Sequence, residues 1–250
     1  MNREASTNRE PSMNGKPSMN RATPRSTALR LKLDLAATPL RAAMTELWRP
    51  AGLAARYGHY LRAMHEVLRA SVPLMELAAR RCAELGPRDP VAGPLGAYLT
   101  EHIDEERGHD DWLLADLAAA GLDPAPLLRE QPPVLVARLV GPQYYWIEHF
   151  HPVALLGYIT VLEGHAPAPW LAEQLAADTG LPQAAFQTVS HHAALDTGHC
   201  VDLERILDLL PLDPAQEAAV AVSALHTVDA ATELFTRLAR QGRPRTPRTP

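Results

Sequence analysis

Two stretches of this 250-residue chain each place a carboxylate three residues before a histidine. One is HIDEERGHDDW at 102–112, with Glu106 and His109; the other is HHAALDTGH at 191–199, with Asp196 and His199. A helix turns ~100° per residue, so positions three apart lie within ~60° of each other on one face. Two helices that each offer a carboxylate and an imidazole to one point suit a pair of iron or manganese ions. Carboxylates bridge and neutralise the cations, and imidazoles complete the coordination shell. One such pair is common by chance; two pairs, with further acids on two other apolar helices, are much less so.

Each residue also has a plainer reading. His102, Glu106 and His109 fall at i, i+4 and i+7, a continuous stripe, but Glu101, Asp104, Glu105, Asp110 and Asp111 crowd the other faces. Taken alone, Glu-x-x-His on so charged a helix is more often a solvated surface than a site. Glu105, four before His109, can stand in for Glu106. His192, Asp196 and His199 form a second stripe in a segment otherwise rich in Ala and Leu. A buried aspartate there must be paired or metal-bound, because burying a lone carboxylate costs several kcal/mol. The plainer alternative is an Asp–His pair bracing the core. Glu163 ends the apolar run LLGYITVLEG, and Glu76 sits in ASVPLMELAARR. Either glutamate alone reads as solvated, and only their company with the two pairs raises them. On a single helix Tyr145, His149, Leu156 and Glu163 would share a face, which makes Tyr145 and His149 candidates for a substrate wall opposite the metals. His192 is a further candidate for that wall.

The elements that must position these residues read as helices. Hydrophobic residues make up 46% of the chain, Ala and Leu dominate, and no strand–helix alternation is visible, which gives an all-α class. Thr38-Pro39 opens a short helix that ends by Pro50. Periodicity then predicts helices over 54–85 with a kink at Pro73, 90–120 ending at Gly121, 133–140, 143–164, 168–179 stopping at Gly180, 182–210 and 213–240. Residues 1–27 repeat NRE and PSMN and, like the proline-broken end 241–250, are expected to be disordered tails around a helical domain at 28–240.

With Glu76, Glu106-x-x-His109, Glu163 and Asp196-x-x-His199 in that order, the chain resembles the haem-oxygenase-like diiron oxidases and oxygenases over roughly residues 55–205. The resemblance implies the fold shared by haem oxygenase and the TenA thiaminases, an all-α bundle of about seven helices. It also implies a non-haem site for two ferrous ions, with Glu76, His109 and His199 as ligands, Glu106 and Glu163 binding or bridging, and Asp196 completing the second iron. Manganese can replace iron in such a site. The activity implied is an O2-dependent oxidation of a small metabolite of amino acid or fatty acid type, by N-oxygenation or oxidative C–C cleavage, of the kind found in specialised metabolism. Related scaffolds fit less well. A haem site would use a histidine such as His59 or His65 and leave the carboxylates idle. A TenA-type nucleophile would have to be Cys200, which points ~100° away from His199. A ferritin-like bundle would repeat Glu-x-x-His, whereas the second pair here has aspartate.

Charge narrows the partners. Removing the eight bases and two acids of the tails from the 24 bases and 29 acids leaves a body near −11, which argues against nucleic acid. Cys82 and Cys200 are too few for a disulfide framework, and no apolar run resembles a signal peptide or a membrane span, so a cytoplasmic protein is expected. Its partners would be the small-molecule substrate and, in some chemistries, an electron donor; the scaffold commonly forms homodimers. The alternative in another class is a non-catalytic metal- or ligand-binding protein on the same scaffold.

Overall fold

The computed structural model describes residues 23–164 and 167–241, with the side chains of residues 196 and 197 left out. Among the described residues there are eleven α-helices and no strand: α1 (Arg25–Ala36), α2 (Thr38–Leu47), α3 (Leu53–Leu68), α4 (Ser71–Leu85), α5 (Ala92–Glu106), α6 (His109–Ala119), α7 (Val134–His149), α8 (Leu155–Glu163), α9 (Leu171–Thr179), α10 (Gln187–Leu209) and α11 (Pro214–Ala239). None of these helices is long and apolar enough to cross a membrane. The two segments read as tails lie outside the described residues except for 23–27 and Gln241. α1 begins inside the first of them, where Ser26 donates twice to the Asp208 carboxylate at 2.8 Å and Arg25 pairs with Glu217.

The count exceeds seven because several expected rods are broken, each for a local reason. The 54–85 rod ends at Leu68 and restarts at Ser71, so that Pro73 falls in a first turn, where its missing N–H costs nothing. The 90–120 rod breaks at Arg107 (ψ 121°) and Gly108 (φ 88°), a left-handed conformation that glycine adopts without a Cβ penalty.

The 133–140 and 143–164 segments are redistributed. α7 runs through Pro142, whose missing N–H frees the Arg138 carbonyl, and His226 Nε2 meets that oxygen at 3.2 Å from α11. The chain then leaves the helix at Phe150 and passes through extended His151, because the residue before a proline disfavours the helical conformation. His151 becomes a latch: its Nδ1 accepts from Val153 N at 3.0 Å, and its Nε2 donates to Asp89 Oδ2 at 3.0 Å in the α4–α5 connection.

α11 is the spine of the bundle. Asp213 and Gln216 form a reciprocal capping box ahead of it, with Pro214 in its first turn. Its buried face carries small residues, Ala221, Ser223, Ala224, Ala230 and Ala231. These let α8 approach until Gly157 lies against backbone: a Cβ there would collide with the Val220 carbonyl and come 2.7 Å from Ala224 N. The main core gathers around α4, α5, α7, α8 and α11. A smaller cluster joins α3, α6, α9 and the start of α10 around Tyr57 and Phe186, with Tyr57 Oη donating to the Ala185 carbonyl at 2.7 Å.

Candidate metal centre

Three helices bring the chemistry together. α5 supplies His102 and Glu106 from one face, four residues apart; α8 supplies Glu163, its last residue; α10 supplies His199. One ligand atom from each of these four side chains lies within 4.8 Å of the others. His102 is 2% exposed, His199 8% and Glu106 9%, so the cluster is withdrawn from water.

Its side chains are linked by short polar contacts. His102 Nε2 lies 2.8 Å from Glu163 Oε1, and its Nδ1 lies 3.2 Å from Glu105 Oε2. His199 Nδ1 lies 3.6 Å from Glu106 Oε1 and 3.8 Å from Glu163 Oε2. Glu106 turns its other oxygen, Oε2, to His109 Nδ1 at 3.2 Å. The carboxylate of Glu106 therefore stands between two imidazoles, one oxygen facing each.

Supporting contacts fix these side chains. Tyr98 stacks on His102 at 5.5 Å, and the two cluster histidines meet edge to face at 4.8 Å. Asp116 of α6, fully buried, accepts from Gln187 N and Thr188 N at 3.0 Å each, which pins the N-terminus of α10 and so its rotation. Burial pushes the Asp116 carboxyl up despite those two amide donors. Cys200 Sγ reaches the Glu163 carbonyl at 3.2 Å and ties the end of α8 to α10.

Charge and burial oppose each other in the cluster. Burial disfavours ionised Glu106, yet His109, His102 and His199 outweigh it and hold the carboxyl below its usual range. Burial likewise works against protonated His102, but Glu163, Glu106 and Glu105 raise it to about 9. His192, half-buried beside His109 and His199, is lowered to about 4, with burial the larger cause. The residues fit a divalent transition ion. Among the described residues Glu163 Oε2 and His199 Nδ1 are buried without a hydrogen-bond partner, a costly arrangement that a cation relieves. Two carboxylates and two imidazoles are also the mixed oxygen and nitrogen set that iron and manganese accept, and the two negative charges balance a divalent ion.

Of the residues singled out in the sequence, Glu106, Glu163 and His199 converge here, and His109 joins through Glu106 although the helix breaks between them. Asp196 lies on α10, but its side chain falls outside the described residues. Glu76 is not part of the cluster: its side chain is 44% exposed and faces Arg107 at 3.9 Å. Glu105 turns to His102 and to His199, 3.5 Å away, rather than to His109. Tyr145 and His149 correct the expectation of a substrate wall. The break at 150–154 takes them off the face that carries Glu163; Tyr145 is 64% exposed, and the two rings lie tilted against each other at 4.6 Å on the outside of α7. His192 does line a cavity that shares Glu106 and Glu163 with the cluster. The residue missing from the expected ligands is His102. Its signal is the four-residue step to Glu106, a weaker mark in sequence than the Glu-x-x-His spacing beside it.

The cavity holds about 360 Å³. Its walls are mainly apolar, built by Met44, Trp48, Met64, Leu74, Ile159 and Phe235 among others, and among the described residues no lysine or arginine lines it.

Solved structures share this architecture. The chain is similar to a TenA homologue from Pseudomonas syringae (TM-score 0.67, 14% identity, 86% of this chain and 93% of that one). It is similar to a protein domain with a haem oxygenase-like fold from Shewanella denitrificans (TM-score 0.61, 15% identity, 86% and 88%) and to haem oxygenase from Leptospira interrogans (TM-score 0.56, 18% identity, 86% and 100%). These likenesses define a haem oxygenase/TenA-like all-α fold. No curated protein matches the chain. A family model described as iron-containing redox enzyme matches residues 65–232, and the chain belongs to that family.

Proposed function

We propose that the protein is a non-haem diiron enzyme that uses O2 to oxidise a small metabolite with an apolar body. The observation that carries this reading is the buried cluster of His102, Glu106, Glu163 and His199 at the edge of a mainly apolar cavity of about 360 Å³. Those four residues would hold one iron. His109, on the other oxygen of Glu106, belongs to a second position that Asp196 would complete. Iron bound there supplies the electrons that turn O2 into an oxidant.

The chain's own residues do the rest. Leu74, Ile159 and Phe235 exclude water from the site, which lengthens the life of any reactive species and strengthens charge interactions within it. The absence of lysine and arginine from the described lining leaves a substrate carboxylate without a permanent protein counter-charge, so its polar end belongs at the metals and its apolar end in the cavity. This favours an aliphatic acid over a free amino acid, whose ammonium and carboxylate groups would both need partners.

The test is reconstitution with ferrous iron under argon, followed by exposure to O2 with panels of aliphatic acids and amino acids. The protein should take up about two irons per chain, lose them on Glu106→Ala, and yield a mass-shifted product from an aliphatic acid. A wild-type protein that binds no iron rules the reading out. Iron uptake without O2 consumption or product across the panel favours a metal-binding protein instead.

A further inference from the structure

Beside the cluster lies a chain of rings, His109, Trp112 and His191, of which the proposed chemistry uses only His109. Trp112, on the first turn of α6, stacks on His109 with ring centroids 3.9 Å apart and planes at 26°. Its indole also meets His191 edge to face at 4.6 Å, and His191 is exposed. Trp112 itself is partly buried, so a single indole connects solvent to the imidazole that faces Glu106. Of these rings only the indole is readily oxidised, since imidazoles resist one-electron loss.

We infer that Trp112 is a relay through which single electrons pass between a one-electron reductant at the surface and iron held at His109 and Glu106. The inference rests on the diiron reading above. The oxidant that iron makes from O2 takes one electron from the indole, which becomes a radical cation, and is itself reduced by one. The reductant outside then returns one electron to the indole and is itself oxidised by one. No bond forms or breaks, and no proton has to move, because the indole N–H is retained. Neighbouring Asp110 and Asp111 supply negative charge that favours the transient cation.

The other aromatic ring against a cluster histidine is a poorer relay. Tyr98 stacks on His102 at 5.5 Å, but a phenol loses its proton when it loses an electron. The Tyr98 hydroxyl is buried with no hydrogen-bond partner among the described residues to take that proton. Among the described residues Trp48, Trp146 and Trp170 make no ring contact with His102, His109 or His199.

The experiment oxidises ferrous-loaded protein with a flash-generated ruthenium(III) polypyridyl complex and follows indole-radical and ferric absorbance together. In the wild type an indole transient should precede ferric iron. In Trp112→Phe that transient should vanish and iron oxidation slow by roughly an order of magnitude, one tenfold step in barrier terms, at unchanged iron content and melting temperature. Should Trp112→Phe fold poorly, wild-type protein grown with fluorotryptophan keeps the packing and raises the indole potential, and it should show the same slowing. Equal rates in wild type and either altered protein overturn the relay and leave the diiron reading standing. A wild-type protein that takes up no iron overturns both.

Discussion

At the scale of the residue, His102 and Glu76 separate what sequence order suggests from what geometry assembles. His102 is buried against Glu163 at 2.8 Å, whereas Glu76 is half in solvent beside Arg107. His102→Ala is therefore expected to lower iron content on anaerobic reconstitution, and Glu76→Ala to leave it at the wild-type level, with metal measured per chain by elemental analysis. The reverse order would return Glu76 to the centre and remove His102. Glu106, His109, Glu163 and His199 are legible in the sequence because two stretches each place a carboxylate three residues before an imidazole, with Glu163 ending an apolar run between the two pairs. Glu76 has the same surroundings in sequence, Leu74, Met75 and Leu77, but α4 turns those three toward the core side and leaves its carboxylate at the rim. One-dimensional context does not distinguish a side chain inside a bundle from one at its edge. His102 is obscured for the converse reason: Glu101, Asp104 and Glu105 make the stretch around it look solvated, although its own side chain is buried.

At the scale of the element, the expected helices were legible and their interruptions less so. A proline or glycine announces a break, but which of several candidates breaks the rod depends on compensation elsewhere. Pro142 is tolerated inside α7 because His226 meets the carbonyl it frees, while Pro152 ends the helix with the help of the His151 latch. That latch gives a pH-dependent prediction. Burial pushes the Asp89 carboxyl up, but donors from Val91, His151 and Ala92 outweigh it and hold it below its ordinary value. A depressed carboxyl stabilises the fold above the ordinary carboxylate pKa of ~3.9 and loses that contribution as pH falls through the lower, folded value. Asp89→Asn should therefore melt earlier than wild type at pH 7, by about 1.5–3 kcal/mol for hydrogen bonds to a charged group. The two melting curves should converge in acid, and a gap that persists at pH 2 would show that the loss is not electrostatic. The α8–α11 contact makes a second element-scale prediction. Gly157→Ala drives a methyl into the Val220 and Ala224 backbone, which cannot swing aside as a side chain can. Its unfolding free energy should fall by about 3 kcal/mol or more, the upper end of overpacking costs, and chemical denaturation measures it. Gly141→Ala has open space within 4 Å and is the control.

At the scale of the whole molecule, one side of the bundle is spent on the metal cluster and the interior beside it on the cavity, so ligand size and chemistry are set by different residues. This division makes substrate length testable without disturbing the metals. At ~30 Å³ per small group, the 360 Å³ cavity holds a chain on the order of ten methylenes. Each buried methylene contributes about 0.8 kcal/mol, roughly fourfold in affinity. Binding of straight-chain aliphatic acids to the iron-loaded protein is therefore expected to tighten about fourfold per carbon, then level off once the cavity is full. Met64 lines the cavity from α3, away from the cluster. Met64→Trp should move the plateau to shorter chains while iron content stays at the wild-type value. Isothermal titration across the acid series in both proteins reads the two plateaus directly. An affinity that does not depend on chain length, or a plateau that Met64→Trp leaves in place, would show that the apolar body of the ligand lies outside this cavity, and the preference for aliphatic acids over amino acids would go with it.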